Sequence, residues 1–175
     1  MRYIALLRGV NVGGNHKVEM KRLKKIFENL GYSDVSTYLN SGNALFEASK
    51  KPVLSDVSQA FKNEFGFEVP ILIKTMDEMQ SISESIPKDW KNDADWKCDV
   101  AYLFEAIDSE KTINALPVKN EFIDIRYTNG AIFWLVKRSD YQKSHINKII
   151  GHKHYPFMTI RNVNTARFLG KMSMH

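Results

Sequence analysis

The chain has one cysteine, Cys98, in 175 residues, which excludes an intramolecular disulfide and a thiolate cage for a metal. Standing at the start of an apolar strand, it is expected to be an inert buried thiol. No apolar run approaches the roughly 20 residues that a membrane-spanning helix needs. The apolar stretch behind Met1-Arg2 is too short and too soon interrupted for a signal peptide. No membrane partner is expected, and the expected location is cytoplasmic. Also missing are internal repetition, a Gly-x-Ser-x-Gly elbow and an Asp/His order that would mark a hydrolytic triad. His145, His152, His154 and His175 lack the Cys or carboxylate company and the loop spacing of a zinc site, so neither a metal nor a cofactor is expected.

What remains is enough for a packed core: 43% hydrophobic residues, 11% of the chain aromatic. The net charge of +5 is unevenly spread, at +4 over residues 1–50, −3 over 51–97, −2 over 98–137 and +6 over 138–175. Both basic blocks contain Asn/Gly-rich loops, which favours an anionic partner.

Periodicity gives the element order. A strand over Arg2 to Leu7 is apolar on both faces, and a helix follows from about Val18 to Leu30. Its stripe is Val18, Met20, Leu23, Ile26, Phe27 and Leu30, with Lys17, Lys21, Arg22, Lys24 and Lys25 around it and Gly31 as the stop. Strands Val35–Leu39 and Ala44–Phe46 flank the turn Asn40-Ser41-Gly42-Asn43, then come a helix Ser55–Phe65 and a strand Val69–Lys74. Thr75-Met76-Asp77-Glu78 reads as a capping box opening a helix that ends before Pro87. Lys88 to Lys97 is polar, acidic and dotted with Trp90 and Trp96, whose rings would pin it to the body of the protein.

A second set follows: strand Cys98–Phe104, helix Ser109–Leu116, strands Phe122–Thr128 and Ala131–Val136 about Asn129-Gly130, a helix from about Tyr141 to Ile150, a strand near Phe157–Ile160 and a helix from about Asn164 to Met172. Asn129-Gly130 tolerates positive φ at both positions, a strong hairpin signal, and Trp134 falls in a strand core. The expected fold is α+β, two tandem βαββαβ subdomains with antiparallel sheets: residues 1–86 with a capping helix, a linker over 87–97, and 98–175 with a C-terminal helix. In this topology the first and second strands of a unit run parallel. The loop Arg8–Lys17 and the turn Asn40–Asn43 should therefore share one rim.

The loop Arg8-Gly9-Val10-Asn11-Val12-Gly13-Gly14-Asn15-His16-Lys17 joins an apolar strand to a helix, where backbone N–H groups are open to an anion. Gly9 to Gly14 has P-loop spacing, but Asn15-His16 stand where Lys and Ser/Thr would be required, and the Rossmann spacing is missing too. The plain reading is glycines for positive φ, with Asn11 or Asn15 capping the helix. Ser41 sits in ordinary turn residues, where it and Asn43 could donate to a ligand without doing catalysis. In Arg161-Asn162-Val163-Asn164-Thr165 one asparagine caps a helix, leaving Arg161 and the other asparagine for an anion. An RNA-reading sheet is disfavoured, since Ala44-Leu45-Phe46 offers little to stack on and Ile132–Val136 is apolar on both sides.

Three of these stretches carry a resemblance. Arg8-Gly9-Val10-Asn11-Val12-Gly13-Gly14, Tyr38-Leu39-Asn40-Ser41-Gly42-Asn43-Ala44-Leu45-Phe46 and Arg161-Asn162-Val163-Asn164-Thr165 resemble the signature stretches of the bacterial domain-of-unknown-function family 1697. Val163 stands where that family usually has Trp, and Ile160 where a second Thr is common. The resemblance implies two ferredoxin-like halves and supplies no activity. The candidate ligand contacts are thus Arg8, Asn11, Gly13, Gly14, Asn15, Lys17, Ser41 and Asn43, with Arg161, Asn162, Asn164 and Thr165. The expected partner is a small anionic or nucleotide-like molecule. The alternatives are a nucleic-acid backbone held by Lys21, Arg22, Lys24 and Lys25, and a phosphoryl- or acyl-handling enzyme, the minority reading because no acid/base pair emerges. The sequence leaves the oligomeric state open.

Overall fold

A computed structural model of the chain describes Met1–Met172; His175, one of the four histidines weighed above, lies outside the described residues. The chain divides into two compact units, Met1–Met76 and Asp77–His175.

In the first unit the order is β1 (Arg2–Leu7), α1 (Met20–Asn29), β2 (Ser33–Thr37), β3 (Asn43–Glu47), α2 (Leu54–Phe65) and β4 (Ile71–Thr75). The strands form one sheet in the order β2-β3-β1-β4, each antiparallel to its neighbour. That is the ferredoxin-like arrangement expected from the βαββαβ order. One face of β1, with Tyr3, Ala5 and Leu7, shares a core with Leu23, Ile26 and Phe27 of α1 and Val57 and Phe61 of α2. Phe46 is its centre, with the Phe27 and Tyr32 rings 4.8 and 4.7 Å away. The helical stripe read from the sequence is the buried one, while Lys21, Lys24 and Lys25 face water. Gly66 ends α2 in the left-handed conformation (φ 77°), donating to the Lys62 carbonyl.

The second unit takes α3 (Met76–Ser85), β5 (Trp96–Leu103), α4 (Lys111–Ala115), β6 (Ile123–Thr128), β7 (Ala131–Lys137), β8 (Met158–Asn162) and α5 (Val163–Lys171). Its sheet order, β6-β7-β5-β8, repeats that of the first, again antiparallel throughout. Ala101, Leu103, Ile132, Trp134 and Val136 build its core with Ile123, Ile146, Ile149 and Met158.

Three details differ from the sequence reading. The division falls between Met76 and Asp77, so α3 and the segment drawn as a linker (87–97) group with the second unit. Trp90 explains this: it is buried, its ring lies 5.8 Å from that of Phe133, and Arg167 of α5 donates to the Trp90 and Pro87 carbonyls at 2.7 and 2.8 Å. No α-helix spans 141–150. Its place is taken by 3-10 turns over Arg138–Asp140, Ile146–Gly151 and Tyr155–Phe157. His145 sits at φ 61°, and the Ser144 carbonyl is taken by the Lys119 N–H instead of an amide one helical turn on. Finally, only Gly130 of the Asn129-Gly130 turn has positive φ (85°).

Candidate functional site

The β1–α1 loop is a miniature hairpin. Gly13 and Gly14 occupy its tip at φ 61° and 77°, and the Asn15 N–H closes it on the Val12 carbonyl at 3.2 Å. Two consecutive positive φ values are what the tightest hairpin turn demands, and glycine meets them without steric cost. One step further out, the Asn11 N–H bonds the His16 carbonyl at 3.1 Å. The turn between β2 and β3 packs beside it. The Leu7 N–H donates to the Gly42 carbonyl (2.8 Å), and a Cβ on Gly42 would fall 2.8 Å from both Leu7 Cβ and Val10 Cγ2.

Asn11 joins the two loops. Its Nδ2 donates to the Asn40 carbonyl at 2.7 Å and to the Val18 carbonyl at 3.0 Å, while its Oδ1 accepts from the Val18 N–H at 2.8 Å. The rim deduced from strand order is therefore present, with both loops at one edge of the first sheet. Neither Asn11 nor Asn15 caps α1. The N-cap position is Glu19, whose side chain makes no capping bond, because the loop closes on itself before the helix begins. Asn43 is fully buried and donates through Nδ2 to the Tyr38 carbonyl (2.8 Å) and to Ser41 Oγ (3.0 Å), so it braces the turn. Arg8 is half-buried, and its backbone N–H bonds the Pro70 carbonyl at 3.0 Å. Between the loops and the start of α1 lies an open recess of about 510 Å³, lined by Asn11, Gly14, Lys17, Glu19, Met20 and Asn40 among others.

In the second unit, Arg161 is not the free strand-end cation that the sequence suggested. It lies within β8, paired with Val100 of β5, and is 8% exposed. Its Nη1 donates to Thr159 Oγ1 and to the Ile160 carbonyl, both at 2.9 Å. Burial pushes its guanidinium down to about 10, with Tyr102 acting in the opposite direction. Asn162 is the cap, its Oδ1 accepting from the Thr165 N–H at 3.0 Å; Asn164 is exposed and Thr165 buried.

The family described as "Protein of unknown function (DUF1697)" matches residues 1–134. The chain belongs to that family. Both rim loops fall inside the matched residues, and Arg161–Thr165 falls outside them. Among solved structures, the chain is similar to the conserved bacterial protein SP0830 from Streptococcus pneumoniae, at 27% identity and a TM-score of 0.84, covering 99% of this chain and 98% of that one. No curated protein matches.

Several features of this DUF1697 member bear on the alternatives. Arg22 is held at the end of α2: Nε bonds Glu64 Oε1 at 2.6 Å, Nη2 bonds the Glu64 carbonyl at 2.7 Å, and the guanidinium lies 4.7 Å over the Phe65 ring. Lys24 approaches Glu28 at 3.6 Å. Half of the basic set assigned to nucleic acid is thus engaged locally. The histidines gather no metal set; no group of three His, Cys, Asp or Glu able to hold an ion occurs among the described residues. The His154 N–H donates to His152 Nδ1 at 3.2 Å, and burial, then His152 and Lys153, hold the His154 imidazole below its ordinary value. Cys98 is fully buried, and burial pushes its thiol up to about 12. Sequence reasoning missed His16, whose ring stacks 4.6 Å from Phe67 and ties the glycine hairpin to the segment before β4. A histidine beside glycines carries no sequence signal of a ring partner 51 positions away.

Proposed function

We propose that the protein binds a small anion of the phosphate or carboxylate class in the recess between the glycine hairpin and the start of α1. The observation that carries this reading is the start of α1, without a side-chain cap, opening into the same recess as Lys17 and Gly14. α1 has no side-chain cap and no acidic residue in its first turn, and Lys17 lines the same recess as Gly14 and Met20. The first N–H groups of any helix lack intrahelical partners, and its dipole favours negative charge there. In this reading the Gly14 amide, Lys17 and the Met20 end of α1 contact the ligand, with Gly13 and Asn15 flanking Gly14 in the hairpin. Asn11, Ser41 and Asn43 hold the rim in shape, with Arg8 at its base.

A helix terminus contributes about 1 kcal/mol and one charge-assisted bond about 1.5–3 kcal/mol. Inorganic phosphate alone should therefore bind no tighter than about millimolar, and a larger ligand bearing the anion would bind more tightly. Glu19 also lines the recess and opposes an anion. Thermal unfolding with added phosphate, nucleotides and phosphorylated metabolites tests the reading, since a ligand held only by the folded state raises the midpoint. Stabilisation is expected to vanish in Lys17→Ala and to grow in Glu19→Gln. No stabilisation by any of these anions, or one indifferent to Lys17, would sink it. A polynucleotide held through its backbone would instead lose affinity steeply with salt.

A further inference from the structure

Each sheet has two edge strands, and an unblocked edge is a template for pairing with another strand. Three of the four edges here are blunted. β2 is irregular, with a register shift between Ser33 and Ser36 and Asp34 at φ 48°. β4 follows Pro70 and carries the buried cation Lys74; β8 follows Pro156 by two residues and carries the buried cation Arg161. β6 has none of these devices. It pairs with β7 without interruption from Ile123 to Thr128, contains no proline and no positive φ, and its charged residues, Asp124 and Arg126, are exposed. A groove of about 750 Å³ runs beside it, with Phe122, Ile123 and Ile125 in its wall.

The backbone phase of this edge can be worked out. The Leu103 N–H of β5 donates to the Gly130 carbonyl at 3.0 Å. Along β7, then, even-numbered residues turn their polar backbone groups toward β5 and odd-numbered ones toward β6. Ala131, Phe133 and Leu135 pair with Thr128, Arg126 and Asp124. It follows that Ile123, Ile125 and Tyr127 present their N–H and C=O groups to the outside.

We propose that β6 pairs antiparallel with β6 of a second copy of this chain, about a two-fold axis at Ile125. In that register the outward backbone groups of Ile125 face their own copies, and those of Ile123 face those of Tyr127. Side chains then match as well: Asp124 stands opposite Arg126 of the second copy, twice, and Ile123 opposite its Tyr127. Centring the axis on Asp124 or on Arg126 instead would set a charge against its own copy, and like charges directly opposite are destabilising. Of the axes that keep this backbone phase, on Ile123, Ile125 or Tyr127, only the one on Ile125 sets Asp124 against Arg126. In the single chain the two side chains bond each other, Arg126 Nε to Asp124 Oδ1 at 3.1 Å and Nη2 to Oδ2 at 2.9 Å, and both are about half exposed, with the guanidinium 4.8 Å over the Trp90 ring.

The test is molar mass by light scattering and sedimentation over a concentration series, with thermal melts confirming that each variant folds. The wild-type chain should dimerise with rising concentration. Asp124→Arg alone and Arg126→Asp alone should each be monomeric, because each sets two like-charged pairs in register. An equimolar mixture of the two single variants should recover the dimer, since every pair is then opposite in sign. A wild-type chain that stays monomeric throughout the series overturns the proposal. So does a dimer that survives either reversal, or a mixture that stays monomeric.

Discussion

Asn43 shows how a residue that looked available for a ligand is used up by the fold. It is fully buried, and both hydrogens of its amide are donated inside the turn. Replacing it by Ala leaves the Tyr38 carbonyl short of a donor in a part-buried site, so Asn43→Ala should lower unfolding free energy by about 1–3 kcal/mol. Urea unfolding would read this as a lower midpoint at unchanged slope; an unaltered midpoint would contradict a bracing role for Asn43. The sequence showed the turn and its Gly42, because those residue types have few other uses there. It did not show the burial of Asn43 or of Arg161. Both depend on strand ends: β3 begins at Asn43 and β8 runs on to Asn162, which places Arg161 inside the sheet instead of at its end. Strand ends are the least legible feature of a sequence, since a polar residue reads alike just inside and just outside them.

At the scale of elements, the caps separate what was legible from what was not. Asn162 was one of two candidates for the start of α5 and is the residue that caps it. Asn162→Ala should therefore cost about 1 kcal/mol, whereas Asn164→Ala, exposed at the second helical position, should be nearly silent. Equal losses at the two sites, compared by thermal melts, would contradict the assignment. At α1 the same logic failed, because Asn11 spends its side chain on Val18 and Asn40 before the helix begins. The missing α-helix before β8 has the same origin. Tyr141–Ile150 is periodic enough to be helical, but a contact from Lys119, 25 positions before Ser144, captures the carbonyl that the helix would need. Local pattern cannot register a competitor so distant in sequence, although the apolar positions Ile146 and Ile149 still reach the core.

The repeated strand order was legible at the scale of the whole molecule because strand periodicity and turn residues recur in the same order in both halves, although the second unit has 3-10 turns where the first has α2. The boundary between units was not, since Pro87 and the acidic tryptophan segment look like a linker whichever unit they join. The placement of α3 with the second unit has a sharp test at Gly170. A Cβ there would lie 2.4 Å from Ser83 Cβ and 3.1 Å from the Met79 carbonyl, so α3 leaves no room for a side chain at this point of α5. In an open helix face Gly→Ala stabilises by about 1 kcal/mol. Here the overpacking, of about 1–3 kcal/mol, should outweigh that gain, and Gly170→Ala should destabilise. Ser83→Gly opens the space again, so the double variant should recover part of the loss, giving a coupling of the sign that only direct contact produces. Were α3 instead an appendage of residues 1–86, unattached to α5, Gly170→Ala would raise stability and the two substitutions would add independently. The sign of a single melting shift therefore decides which unit α3 completes.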